Sequence, residues 1–213
     1  GADQYVSRGA HKLIAALDAF GVPVEERTAL DVGASTGGFS QVLLQRGAAE
    51  VIAVDVGHGQ LASSLAGEPR LLSFEGVNAR ALTAEALAGL VGHPVHPDLV
   101  VGDLSFISLT QVLPALVATA SDGADFVLLV KPQFEVGRTG IKEGIVRDPV
   151  LRCEAVTSVL WAAHDLGVGT AGFIASPIAG SQGNLEYLAW LSATAGSNPT
   201  DWLSKVEAIT MRT

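Results

Sequence analysis

The stretch T-A-L-D-V-G-A-S-T-G-G-F, residues 28–39, constrains this chain more than any other. Ala29, Leu30 and Val32 form a short apolar run that stops at Gly33, with Gly37 and Gly38 close behind. An apolar run closed by glycines reads as a buried strand, a tight turn and the start of a helix. Glycine permits backbone with φ > 0 and lets a ligand approach without meeting a Cβ, while the helix that follows offers unpaired N–H groups. Such a loop is suited to holding something polar.

A dinucleotide fingerprint reads G-x-G-x-x-G, but the residue two after Gly33 is Ser35, and Asp31 stands inside the strand end. The pattern D-x-G-x-x-x-G-G is one associated with S-adenosylmethionine (SAM), whose amino-acid end carries an ammonium and no phosphate. A second apolar run closed by an acid, Val51-Ile52-Ala53-Val54-Asp55, follows. A carboxylate at the end of the second strand can accept both ribose hydroxyls of a nucleoside cofactor. Together the two motifs favour a nucleoside site and leave SAM and NAD both open.

The 213 residues suffice for one substantial core. At 48% hydrophobic and 16% charged residues the chain is a compact folded one, and no apolar run approaches bilayer length. There is no charged-then-apolar leader, and the single cysteine, Cys153, excludes an internal disulfide and a cysteine-rich metal site. The expectation is a cytoplasmic protein without a metal. A net charge of −9 argues against coating nucleic acid over the whole surface. Yet Lys131, Arg138, Lys142, Arg147 and Arg152 crowd one segment, and Arg8 and Lys12 stand near the start. If these meet, they form a local basic lip on an acidic body.

Ala10, Leu13, Ile14 and Leu17 follow helical spacing, with Ser7 as a candidate cap, Gly21 as the stop and Lys12 at the margin of the stripe. Beyond the two motif strands, the spacing predicts short helices at 59–66 and 83–90, a strand at 71–74, and strands at 98–101 and 125–130 flanking a helix over 108–120. Segment 132–147 has little periodicity and reads as a substrate flap. Asp148-Pro149 caps a helix over 150–166. Strands at 168–175 and 185–191 and a helix at 202–211 complete the chain. Alternating strands and helices predict an α/β fold, a mostly parallel seven-stranded sheet with helices on both faces. Ligands of such sheets sit beyond the carboxyl ends of the strands, which puts Gly33, Asp55, Asn78, Asp103 and Lys131 on one rim.

A lysine closing a buried strand must be paired or hydrated, and Asp103 would neighbour Lys131 if their strands are adjacent. Glu186, in an otherwise apolar strand, is a third misplaced charge. The runs S-R-G-A-H-K-L from Ser7, D-V-G-A-S-T-G-G-F from Asp31, D-L-S-F-I-S-L from Asp103, K-P-Q-F-E-V-G from Lys131 and G-N-L-E-Y from Gly183 together resemble the TlyA family. Its members are FtsJ-like ribosomal RNA ribose methyltransferases, also known as haemolysins. The resemblance covers nearly the whole chain. It implies a Rossmann-like SAM-dependent methyltransferase fold and 2′-O-methylation of ribosomal RNA within ribosomal subunits, with cytidine in both subunit RNAs as target. It also implies a catalytic tetrad falling on Lys12, Asp103, Lys131 and Glu186. The cofactor set expected is Asp31, Gly33, Ser35, Gly37, Gly38, Phe39, Asp55, Asn78 and Asp103; the RNA is expected on the lip of Arg8, Lys12, Arg138, Lys142, Arg147 and Arg152. Family members usually begin with an S4-type RNA-binding domain, so this chain is expected to be a single catalytic domain without it.

A ribose 2′-hydroxyl is a weak nucleophile that must be held in line with the SAM methyl while its proton departs. Lys131 can take the proton or orient the oxygen. Base-amino methylation commonly uses Asn/Asp-Pro-Pro-aromatic where this chain has Asp-Leu-Ser-Phe, and pyrimidine C5 chemistry needs a nucleophilic cysteine at the rim. Three other readings are a membrane-active haemolysin, an NAD-dependent oxidoreductase, and a SAM-binding module inactive without its RNA-binding domain. His93 and His96 read as solvent-facing.

Overall fold

The computed structural model describes residues 4–212. Seven strands form one sheet in the order β3-β2-β1-β4-β5-β7-β6. They are β1 (Thr28–Val32), β2 (Glu50–Val54), β3 (Leu71–Phe74), β4 (Leu99–Gly102), β5 (Asp125–Val130), β6 (Gly169–Ala175) and β7 (Tyr187–Ser192). The first five pair in parallel, while β7 is antiparallel to both its neighbours, with Tyr187 opposite Val130. The start of β7 therefore lies on the same edge of the sheet as the end of β5.

Strand side chains alternate between faces, and the two halves of the core follow that alternation. Leu30, Val32, Val100, Phe126, Leu128 and Val130 face one side. There they meet α3 (Ala84–Val91), α4 (Leu109–Thr119), α5 (Pro149–Asp165) and α6 (Leu203–Thr210) through Leu87, Leu113, Leu116, Val156, Leu160 and Val206. Ala29, Val51, Val101, Val127 and Leu129 face the other side, against Leu13 and Leu17 of α1 (Gly9–Phe20) and Leu43 of α2 (Gly38–Gln45). Each fully buried Leu or Val contributes roughly 1.5–3 kcal/mol relative to exposure.

Several boundaries differ from the expectations. Segment 59–66 holds only one 3-10 turn, Ser63–Leu65, flanked by extended Ala62 and Ala66; its apolar Leu61 and Leu65 pack where a Cβ on Gly37 would stand. Ser7 does not cap α1, which follows Arg8 with no side-chain cap; its hydroxyl instead lies against Gly38. Asp148 does cap α5, accepting from Val150 N at 2.9 Å. β7 begins at Tyr187 because the turn before it is closed by its own bond, Gly180 N to Asn184 O at 2.8 Å. Glu186 thus precedes the strand. The expected flap, 132–147, is tied down: its base is a 3-10 turn, Pro132–Phe134, and Asn184 accepts from Val146 N and donates to Gly144 O.

Candidate active site

Two cavities open on the rim formed by the ends of the parallel strands. After β1 the chain turns through left-handed backbone at Gly33, Ser35 and Gly37, with φ of 75°, 51° and 102°. The N–H groups of Gly33 and Ala34 donate to Val54 O at 3.0 and 3.1 Å, locking the loop to β2. A Cβ on Gly33 would lie 2.5 Å from Asp103 O, so only glycine lets the ends of β1 and β4 come this close. Asp55 Oδ2 accepts from Ser35 N and Oδ1 from Gly57 N, both at 2.7 Å. Each oxygen keeps a lone pair for a ligand.

The first cavity, about 520 Å³, is lined by Gly33, Ser35, Asp55, Asn78, Asp103 and Phe106 among others. Among the described residues no Lys or Arg lines it. The second, about 410 Å³, is lined by Arg8, Lys12, Phe39, Asp103 and the loop Ile178 to Ser181. Gly33, Ser35 and Asp103 belong to both, so Asp103 stands where the cavities meet.

Two ion pairs flank this junction. Lys131 Nζ lies 2.6 Å from Asp103 Oδ1 and donates to Ser105 Oγ at 2.9 Å. Its other face looks onto the Phe134 ring, 5.9 Å from the centroid. Lys12 Nζ donates to Glu186 Oε1 at 3.0 Å, both residues being buried. The tetrad arrives as two lysine–carboxylate pairs, each cation with its own anion. Phe106, 90% exposed with φ 64°, stands over Phe134 at a centroid distance of 5.0 Å.

Of the expected cofactor residues, Gly33, Ser35, Asp55, Asn78 and Asp103 line the first cavity, and Gly38 and Phe39 line the second. Two do not reach either. Gly37 is the left-handed residue before α2, with no room for a Cβ against Leu65. Asp31 is wholly buried on the α2 side of β1, where Ser40 Oγ donates to its Oδ2 at 2.7 Å and Oδ1 has no partner. Burial pushes its carboxyl up to about 7 against the Ser40 hydrogen bond, with Asp103 and Asp55 adding to the rise. Asp31 braces the loop from beneath.

The basic lip is smaller than expected. Arg8, Lys142 and Arg147 are exposed, with Arg147 3.8 Å from Glu143. Lys12 is committed to Glu186, and the Arg138 side chain lies outside the described ones. Arg152 is buried and donates to backbone carbonyls, those of Val146, Arg147, Thr210 and Arg212. Its side chain points into the protein because Arg152 sits on the same face of α5 as Val156 and Val159. His93 and His96 are both exposed.

The residues missed in the sequence cluster in K-P-Q-F-E. Gln133 Nε2 donates to Glu186 Oε2 at 2.9 Å. Glu135 accepts from Ser108 Oγ at 2.6 Å and Leu109 N at 2.7 Å, holding the N-terminus of α4. Burial raises the Glu135 carboxyl above its usual range, opposed by those two bonds. The only sequence signal was contiguity with Lys131.

The donor set fits SAM. A first cavity with Asp55 at the end of β2, Asp103 beside the glycine turn and, among the described residues, no basic side chain suits a cofactor bearing positive charge better than a pyrophosphate. Fold and site define a methyltransferase of the Rossmann-like, SAM-dependent class. The structure superposes on a SAM-dependent methyltransferase of Listeria monocytogenes with a TM-score of 0.63 at 14% identity, over 87% of this chain and 99% of that one, a likeness of fold. Residues 5–193 match the FtsJ-like methyltransferase family, and the chain belongs to it.

Nearer relatives sharpen the comparison. The 16S/23S rRNA (cytidine-2′-O)-methyltransferase TlyA of Mycobacterium tuberculosis is 56% identical over 188 residues, 88% of this chain and 68% of that protein. A Streptococcus thermophilus protein named as a hemolysin superposes with a TM-score of 0.91 at 40% identity, covering 99% of this chain and 74% of its own.

Proposed function

We propose that the protein transfers a methyl group from SAM to the 2′-hydroxyl of cytidine in the RNA of both ribosomal subunits. The observation that carries this reading is the pair of lysine–carboxylate contacts, Lys131–Asp103 and Lys12–Glu186, at the meeting of a nucleoside cavity with a second, open one. The target nucleotide is that of the TlyA relative.

When bound, SAM supplies a methyl on a sulfonium, an electrophile needing only an aligned oxygen. Asp55 and Asn78 would hold its nucleoside, and the turn at Gly33 its amino-acid end. On the acceptor side, Lys131 has two of its three N–H donors committed to Asp103 and Ser105. The third is available to orient the ribose oxygen. Asp103 Oδ2, the oxygen not held by Lys131, faces Gly9 of the second cavity. It can accept the hydroxyl hydrogen and take the proton as the O–CH₃ bond forms. This division makes Lys131 an orienting group, because its ammonium is already anchored as an ion pair. Exposed Arg8, Lys142 and Arg147 give RNA phosphates a contact line, and exposed Phe106 gives a base a surface to stack on.

The test is transfer of labelled methyl from SAM to unmethylated ribosomal subunits, followed by alkaline digestion. A 2′-O-methyl protects its own phosphodiester, so label in an alkali-resistant dinucleotide establishes ribose, and label released as mononucleotide establishes a base and overturns the proposal. The hemolysin name of the Streptococcus relative suggests membrane action for that protein. Among the described residues no helix is long and apolar enough to cross a bilayer.

A further inference from the structure

The Lys12–Glu186 pair is buried, and what holds its carboxylate is unequal on the two oxygens. Oε1 meets the Lys12 ammonium at 3.0 Å. Oε2 accepts from Gln133 Nε2 at 2.9 Å. Gly180 closes the third side so tightly that an added Cβ would overlap Oε2. The carboxylate is thus enclosed by a helix cation, a neutral amide and a glycine backbone that lines the second cavity.

Gln133 is itself 6% exposed, and its Oε1 has no hydrogen-bond partner. A buried amide that leaves its acceptor unsatisfied carries a desolvation cost, so its donor side is what the fold retains. It sits two residues after Lys131 in the turn Pro132–Phe134, which Lys131 O fastens by accepting from Phe134 N at 3.0 Å. One short turn therefore touches both ion pairs: Lys131 reaches Asp103, and Gln133 reaches Glu186.

We infer that Gln133 is a positioning residue for methyl transfer: its amide fixes the rotamer of Glu186, and through it the place of Lys12 at the wall of the acceptor cavity. The inference rests on the tetrad reading above. Without that amide, Glu186 Oε2 loses a buried donor and the carboxylate turns to share both oxygens with Lys12, drawing the ammonium away from the substrate. A group placed a fraction of an ångström from its working position slows transfer without weakening cofactor binding.

The test is a double-mutant cycle of Gln133→Met, Glu186→Gln and the pair, read by single-turnover methyl transfer to ribosomal subunits and by S-adenosylhomocysteine binding. Gln133→Met is expected to slow transfer about tenfold in the wild-type background, the loss of one buried charge-assisted hydrogen bond, with cofactor affinity unchanged. In the Glu186→Gln background the same substitution should cost less than about twofold, because the group it acts through is already gone. Equal effects in both backgrounds would mean a merely structural role and overturn the inference. A Glu186→Gln variant at full rate would instead overturn the tetrad reading. Should Gln133→Met fail to bind S-adenosylhomocysteine, Gln133→Glu keeps the side-chain volume and takes its place. It is expected to be slow in the wild-type background, where it sets a second carboxylate against Glu186, and to cost less than about twofold in the Glu186→Gln background, where no carboxylate faces it. Equal costs of Gln133→Glu in the two backgrounds would equally overturn it.

Discussion

Lys131 Nζ and Asp103 Oδ1 lie 2.6 Å apart across the ends of adjacent parallel strands, β5 and β4. The two residues divide their work unevenly, since Asp103 lines both cavities and Lys131 holds it from the end of β5. Lys131→Ala is expected to lower methyl transfer by roughly 10²-fold or more while S-adenosylhomocysteine affinity holds. Asp103→Asn is expected to lower both. Single-turnover rates and calorimetric titration of the two variants separate these outcomes.

Asp55 has a double task, fastening the glycine turn through Ser35 N and facing the nucleoside cavity. Asp55→Ala removes hydrogen bonds to a charged group, each worth about 1.5–3 kcal/mol. Cofactor affinity should fall about tenfold or more, with the transfer rate at saturating SAM less affected. Unchanged affinity by calorimetry would place the ribose elsewhere.

Asp31 makes stability depend on pH in an unusual direction. Burial pushes its folded carboxyl up from the ordinary carboxylate range to about 7. The folded state therefore holds a proton that the unfolded state has lost, and stability must fall as pH rises from about 4 to about 7. Asp31→Asn keeps a partner for Ser40 without the charge. It is expected to raise the melting temperature at pH 8 by more than at pH 5. A difference independent of pH would show that Asp31 does not titrate in this range.

Arg152 and the exposed basic residues should part company. Arg152→Leu removes a buried cation that ties the backbone at Val146 and Arg147 to that at Thr210 and Arg212, and is expected to cost roughly 3 kcal/mol of stability as those carbonyls lose their donors. Lys142→Gln with Arg147→Gln should leave stability nearly unchanged. Their effect should appear in RNA affinity, with the slope of log K against log salt reduced by about one to two units.

Much of this was legible in the sequence because apolar runs closed by an acid or glycine mark strand ends at the rim. The residue pattern alone puts Gly33, Asp55, Asp103 and Lys131 on that rim. What stayed hidden depends on partners distant in the chain. That Asp31 faces α2 and reaches neither cavity follows from strand alternation set against which helices cover each face. Arg152 looks like one more cation in a basic segment until the turn of α5 carries it inward. Gln133 is a neutral residue in a short turn, and only the reversal of β7 brings Glu186 to meet it.

That reversal has a consequence for how the protein comes to life. Four charged groups come from positions 12, 103, 131 and 186, and the last of them is delivered by a strand that lies inside the sheet, between β5 and β6. A chain still emerging from synthesis can form the glycine turn and its nucleoside cavity while Lys12 has no carboxylate to meet. The first cavity is thus lined wholly from within residues 33–112, whereas the wall that Lys12 shares with Glu186 is complete only with β7, the strand that joins β6 to the rest of the sheet.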